Sequence, residues 1–104
     1  MSDTCQLEHL RVEIYEKWIG FHSGLWWDFH MEELDLKHEV HEACPVIEFE
    51  TPPECAEARG KLQQHRFWKM EPLERTIDAL REKLYEHQEA LENCEHEAKA
   101  FKLA

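Results

Sequence analysis

Apolar residues recur every three or four positions along two long stretches of the chain, and this spacing predicts two amphipathic helices. We expect the first helix over about 4–43, an acidic loop over 44–52 and the second helix over about 53–103. Pro45 is predicted to end the first helix because residues before a proline avoid helical backbone angles. Thr51 is the predicted N-cap of the second helix, with prolines following it. We expect residues 1–104 to form one domain.

Each predicted helix carries an apolar seam, which is the pattern of helices packed side by side. The first seam consists of Cys5, Val12, Ile19, Trp26, Glu33 and Val40, interleaved with Glu8, Tyr15, His22, Phe29, Leu36 and Ala43. The second consists of Leu73, Ile77, Leu80, Leu84, His87, Leu91, Cys94, Ala98 and Phe101. Two such seams on either side of a short loop predict an all-α fold, an antiparallel helical hairpin.

Each predicted helix also has one weak point. Gly20 and Gly24 lie within the first helix, and glycine lowers helix stability. Pro72 lies within the second, where proline either bends a helix or begins a new helical segment. We therefore expect kinks near Gly20–Gly24 and Pro72.

The four cysteines are spaced so that one hairpin register pairs them all. Cys5 and Cys44 are 39 residues apart, and so are Cys55 and Cys94. Paired positions in an antiparallel hairpin have residue numbers with a constant sum, and Cys5–Cys94 and Cys44–Cys55 both add to 99. We therefore predict these two disulfides, one at each end of the hairpin. The alternative is four free, buried thiols, which is common in reducing compartments.

A helical hairpin with four cysteines paired in register resembles the coiled-coil-helix-coiled-coil-helix (CHCH) proteins of the mitochondrial intermembrane space. It is also similar to the acidic hinge subunit of the ubiquinol–cytochrome c reductase complex, another hairpin with two disulfides. Cys5, Cys44, Cys55 and Cys94 carry the resemblance as structural residues. The spacing departs from the family, which has Cys-x9-Cys within each helix where this chain has Cys-x38-Cys. The resemblance implies import and trapping by oxidation, consistent with an N-terminus that has no basic or apolar leader.

Candidate chemistry is sparse. The chain has no glycine-rich phosphate loop, no serine-centred elbow and no Cys-x-x-Cys motif, so we expect no enzyme and no cofactor. Two weak combinations of zinc-type ligands exist, and we expect neither to bind metal. One is His41, Cys44 and Cys55 with His38 or Glu42, and the other is Cys5, His9, Cys94 and His96.

The first helix has more apolar side chains than one seam requires. A second stripe consists of Leu7, Leu10, Ile14, Trp18, Phe21 and Leu25, with Trp27 beside it. Phe67 and Trp68 on the second helix, with Met70, are candidates to cover part of this stripe or to bind the same partner. A two-helix hairpin has one internal interface, so these side chains are either covered by a folded-back segment or bind another chain. We expect them to bind other protein subunits, because aromatic residues are typical interface anchors.

The charge distribution limits the other partners. The chain has a formal net charge of −11, which disfavours nucleic acid, and it contains no apolar run long enough to cross a membrane. An acidic patch, net −8 when Lys37 is counted, surrounds the loop. It consists of Glu32, Glu33, Asp35, Glu39, Glu42, Glu48, Glu50, Glu54 and Glu57. It is either a solvated surface or a docking patch for a basic partner.

Three hypotheses follow for function. The first is a non-catalytic structural accessory subunit of a larger complex, which the resemblance suggests is a mitochondrial respiratory-chain complex bound peripherally at the membrane from the intermembrane space. The second is an acidic cytoplasmic or phage interaction protein or inhibitor, with free thiols, that acts as a homodimer. The third is a zinc-binding helical protein.

Overall fold

The structure, a computed structural model, describes residues 5–45 and 52–103. The elements, in chain order, are α1 (Gln6–Ala43), α2 (Pro53–His65), a π-helical turn (Arg66–Met70) and α3 (Glu71–Leu103). The described residues contain no strand. The chain is therefore an all-α helical hairpin with two disulfides, as predicted.

The ends of the helices follow from the prolines. α1 ends at Ala43. The amide of the next residue, Cys44, still donates a hydrogen bond of 2.9 Å to the Val40 carbonyl. The N-cap of α2 is Pro52, one residue later than the predicted Thr51, whose own conformation lies outside the described residues. The Pro52 carbonyl accepts hydrogen bonds from the amides of Cys55 and Ala56, both 3.1 Å. Proline suits this place because helix starts have no partner for their first amides.

The π-helical turn lies directly before Pro72, which is the second residue of α3. The Glu71 amide donates to the Arg66 carbonyl, five residues earlier. Proline has no amide hydrogen, and its ring crowds the carbonyl four residues before it, here that of Trp68. A π turn is wider than an α turn, so we attribute it to Pro72. α3 begins at Glu71, directly before Pro72, and the kink expected there stays a prediction.

The chain divides into two compact units. Unit 1 is Met1–His22 with Thr76–Ala104, and unit 2 is Ser23–Arg75. In unit 1 the Cys5–Cys94 disulfide has a Cα–Cα distance of 5.9 Å, and Cys5 and Ile77 are buried. In unit 2 the Cys44–Cys55 disulfide has a Cα–Cα distance of 4.8 Å. Among the described residues of unit 2, the buried apolar side chains are Cys55, Ala58, Met70 and Leu73.

The predicted seams are the inward-facing positions of the helices. Every member of the α1 seam is buried or half-buried, and so is every α3 member from Leu73 to Ala98. The side chain of Phe101 lies outside the described part. The helical structure of α1 continues through Gly20 and Gly24, so the kink expected there stays a prediction.

Candidate functional site

In unit 1, a row of five exposed apolar side chains lies along one face of α1. Its members are Leu7, Leu10, Ile14, Trp18 and Phe21, between 44% and 65% exposed. Their spacing of three and four residues places them side by side on a helix, over a length of about 21 Å. We call this row the unit 1 stripe. These five predicted partner-binding residues therefore share one solvent-facing surface.

Aromatic contacts hold the middle of this stripe in place. The Trp18 ring packs edge-on against Tyr15, with 5.4 Å between centroids, and Tyr15 packs in turn on His87 of α3 at 5.0 Å. The Trp18 carbonyl accepts a hydrogen bond of 2.7 Å from His22 Nδ1. The Phe21 ring lies edge-on to His22 at 5.4 Å. Side chains fixed in this way lose little conformational entropy on binding.

The remaining predicted partner-binding residues lie in unit 2 and do not form one row. Leu25 is half-buried, and Trp27, two residues later on the same helix, faces away from it. Trp27 instead shares a face with Met31 and Leu34, four and seven residues further on, and all three are exposed. Grouping Trp27 with Leu25 was therefore wrong. The sequence alone indicates this face, because Trp27, Met31 and Leu34 are spaced by four and three residues.

Phe67 and Trp68 lie on the π-helical turn and are exposed to 59% and 72%. Their rings are perpendicular, with centroids 5.0 Å apart. Their role in partner binding stays a prediction.

The predicted acidic patch is only partly a surface. Glu32, Asp35, Glu39, Glu42, Glu54 and Glu57 are exposed. Glu48 and Glu50 lie outside the described residues. Glu33 is 2% exposed, so its assignment to the exposed patch was wrong. Glu33 lies at a seam position, which faces inward, and this position determines its burial although its sequence neighbours are acidic.

The buried Glu33 carboxylate is the centre of an ion cluster in unit 2, whose other members are partly exposed. Its carboxylate accepts a hydrogen bond from the Arg66 guanidinium, whose other terminal nitrogen lies 3.4 Å from Glu74. The Glu33 carboxylate is also 3.6 Å from Lys37 Nζ and 3.4 Å from His30 Nδ1. A buried carboxylate requires this much compensation, because removal of a charge from water is costly.

The pKa of the Glu33 carboxyl results from opposing effects. Burial alone would raise the pKa of this group, since it penalises the charged form. The hydrogen bond and positive charge of Arg66, the charge of Lys37 and the nearby His30 ring together lower it further than burial raises it. The pKa of Glu33 therefore lies below its ordinary value, and the group is ionised at neutral pH.

His65 adds a second polar link in unit 2. It is buried, and its Nε2 donates a hydrogen bond of 2.8 Å to the backbone carbonyl of Phe29 on α1. Its Nδ1 lies 3.5 Å from Glu32, and Lys69 approaches the same carboxylate at 3.2 Å. A hydrogen bond from a side chain of one helix to the backbone of the other fixes their register locally.

Most of the candidate metal ligands form disulfides or ion pairs in the structure. All four cysteines are in disulfides, so their sulfurs do not act as thiolate ligands. His9 pairs with Glu95 at 3.1 Å and His38 with Glu42 at 3.0 Å. Across residues 5–45 and 52–103, no group of three or more His, Cys, Asp or Glu is arranged to hold a metal ion. The two hypotheses that need thiols apply only to a reduced form of the chain.

Comparison of the chain with protein-family models, with curated proteins and with solved structures finds no match. Among the helices described, none is long and apolar enough to span a bilayer.

Proposed function

We propose that this protein is a non-catalytic accessory subunit that binds another protein chain through the unit 1 stripe. The observation that carries the proposal is the exposure of five large apolar side chains on one helix face. Contiguous apolar surface of this kind is typical of interaction sites, whereas isolated exposed apolar residues are not. Burial of the exposed halves would contribute roughly 1 kcal/mol per side chain.

The fixed position of Trp18 also supports binding of a partner through the unit 1 stripe. Hot spots of protein interfaces are enriched in tryptophan and cluster near the centre of the contact. Trp18 has apolar neighbours on both sides within the stripe, and it packs on Tyr15. Truncation of Trp18 is therefore expected to weaken binding more than truncation of Leu7 at the end of the row.

The location we propose is the mitochondrial intermembrane space, as part of a respiratory-chain complex. Two disulfides in a helical hairpin support an oxidising compartment, where such bonds persist. The resemblance to CHCH proteins supports that compartment in particular, although the Cys-x38-Cys spacing differs from theirs. Fractionation tests the location: we expect protease to degrade the protein in mitochondria with a ruptured outer membrane but not in intact ones.

Native gel electrophoresis of extracts from the producing cells tests the accessory role. We expect the protein to migrate with a larger complex, and the double substitution Trp18→Ser/Phe21→Ser to release it to the position of the free chain. Tyr85→Ser is the matched control, because Tyr85 is an equally exposed aromatic of unit 1 that lies on α3. Migration as a free chain before substitution would contradict the proposal.

A further inference from the structure

The unit 1 stripe is bordered by two positive charges in a strongly negative protein. Arg11 lies four residues after Leu7 and three before Ile14, so it adjoins both on the helix surface. Lys17 lies three residues after Ile14 and four before Phe21, on the opposite border of the stripe. Both side chains are exposed.

The acidic residues of this part of α1 lie elsewhere. Glu8 and Glu16 are not at a three- or four-residue spacing from any member of the stripe. Glu13 has that spacing to Leu10 alone, whereas each cation adjoins two members. Among the described residues neither Arg11 nor Lys17 has an ion pair within 4 Å, so both charges are available to a partner.

We propose that the partner segment is an acidic amphipathic helix, with an apolar face bordered on both sides by Asp or Glu. This inference rests on the proposed function and names the partner for the same surface. An apolar face of such a helix fits a row of five side chains about 21 Å long, which corresponds to about four helical turns. Its acidic borders complement Arg11 and Lys17, and complementary charges at an interface favour one partner over others.

Two other occupants fit less well. In a homodimer formed through this stripe, the cations Arg11 and Lys17 of one copy would face the same cations of the other copy. Like charges that face each other are unfavourable. An anionic lipid surface attracts cations, but a plane wider than one helix extends past Lys17 towards Glu13 on the same helix. A helix is about 10–12 Å in diameter, so it contacts the stripe and its borders without reaching that carboxylate.

The test uses the full oxidised chain and two synthetic helical peptides with the same apolar face. One peptide has Glu at the bordering positions and the other has Lys. Titration at low salt is expected to give a dissociation constant about tenfold lower for the Glu peptide, since two favourable pairs replace two unfavourable ones. High salt should reduce this difference.

Variants separate the charge effect from the apolar contact. Arg11→Glu/Lys17→Glu should reverse the preference, and the neutral Arg11→Gln/Lys17→Gln should remove it. Arg81→Glu/Lys99→Glu, the matched control on α3, changes the net charge equally and should leave the preference as it was. Trp18→Ser/Phe21→Ser should weaken binding of both peptides.

Four results would overturn the inference. Equal binding of the two peptides would leave the proposed docking surface in place but remove its acidic partner. Binding of neither peptide would reject this partner class, while native electrophoresis separately decides whether the stripe docks at all. Binding to phosphatidylserine vesicles that is lost in Trp18→Ser/Phe21→Ser would assign the stripe to a membrane. Self-association in sedimentation velocity, lost in the same variant, would assign it to a second copy.

Discussion

Glu33 and Arg66 are hydrogen-bonded across unit 2, and their residue numbers add to 99, as do those of both cysteine pairs. The same alignment therefore brings together the sulfurs in each unit and a buried carboxylate with its guanidinium partner. Apolar seams tolerate small shifts in alignment, whereas a buried charge does not, because a shift leaves it unpaired. We infer that this ion pair favours the observed register over its neighbours.

Removal of the guanidinium alone should be costly. Arg66→Met leaves the Glu33 carboxylate buried, with Lys37 and His30 as its remaining partners. We expect a loss of about 2–3 kcal/mol in unfolding free energy, below the ~3–5 kcal/mol typical of broken buried pairs because the Arg66 side chain is 38% exposed. Urea denaturation measures this loss.

The double substitution Glu33→Leu/Arg66→Met provides the contrast. It removes both charges together, so it should recover most of the stability lost in Arg66→Met. Lys61→Met is the control, because its partner Glu57 is exposed and the change should cost no more than about 0.5 kcal/mol. A loss in Arg66→Met as small as that of the control would argue against the buried pair.

The lowered pKa of Glu33 predicts an acid-sensitive contribution to stability. The folded-state pKa lies below the ordinary value of 4.5, so ionised Glu33 stabilises the fold above that pH. The contribution is lost as the pH falls through the folded-state pKa, where the carboxyl becomes protonated in both states. The stability difference between the unmodified protein and Glu33→Gln should therefore narrow as the pH falls from neutral to below about 4.5.

Thermal unfolding at a series of pH values measures this narrowing. The control is Glu57→Gln, which removes the same charge from a side chain that is 73% exposed and so accounts for the general effect of losing one carboxylate. A pH-independent difference for Glu33→Gln would mean that its carboxyl titrates alike in the folded and unfolded chains.

The two disulfides should stabilise to different extents. Cys5 and Cys94 close a loop with a sequence separation of 89, and Cys44 and Cys55 one of 11. By the chain-entropy model, loss of the first costs about 4–5 kcal/mol and loss of the second about 3 kcal/mol. Urea midpoints of Cys5→Ser/Cys94→Ser and Cys44→Ser/Cys55→Ser compare them, and the opposite order would contradict the loop-length account.

Glycine substitution in α1 tests the predicted kink. A Cβ atom added at Gly20 or Gly24 has no neighbour within 4 Å, and neither residue has a positive φ. Gly20→Ala and Gly24→Ala should therefore each stabilise the protein by about 0.5–1 kcal/mol, because alanine restricts the unfolded chain and favours helix. Destabilisation in thermal melts would show that the helix needs glycine there to bend.

Most of the helical pairing was predictable because it depends on regular repeats. The spacing of three and four residues gives the inward faces, and the constant sum of residue numbers gives the cysteine pairs. The same sum would have assigned Arg66 to Glu33. Glu33 was assigned both to the inward seam and to the acidic patch, and the second assignment used its acidic neighbours, which carry no information about which face of the helix turns inward.

The π-helical turn could not be predicted from the regular repeats of the sequence. Pro72 predicted a disturbance in the second helix, but proline allows a bend, a break or a wider turn, and neighbouring packing selects among them. The turn changes which side chains face outward, so the places of Arg66 and Met70 could not be read from a uniform helical repeat. Met70 is the most deeply buried apolar side chain among those the structure describes, while Trp68 is largely exposed.

Peptide mapping of the purified protein under non-reducing conditions tests the disulfide-linked hairpin most directly. Digestion without reductant, followed by mass spectrometry, identifies which cysteine-containing peptides are joined. We predict one linked pair containing Cys5 and Cys94 and another containing Cys44 and Cys55. A dominant bridge between any other two cysteines would contradict the hairpin register. Four thiols open to alkylation in the native protein would contradict the disulfide-linked hairpin.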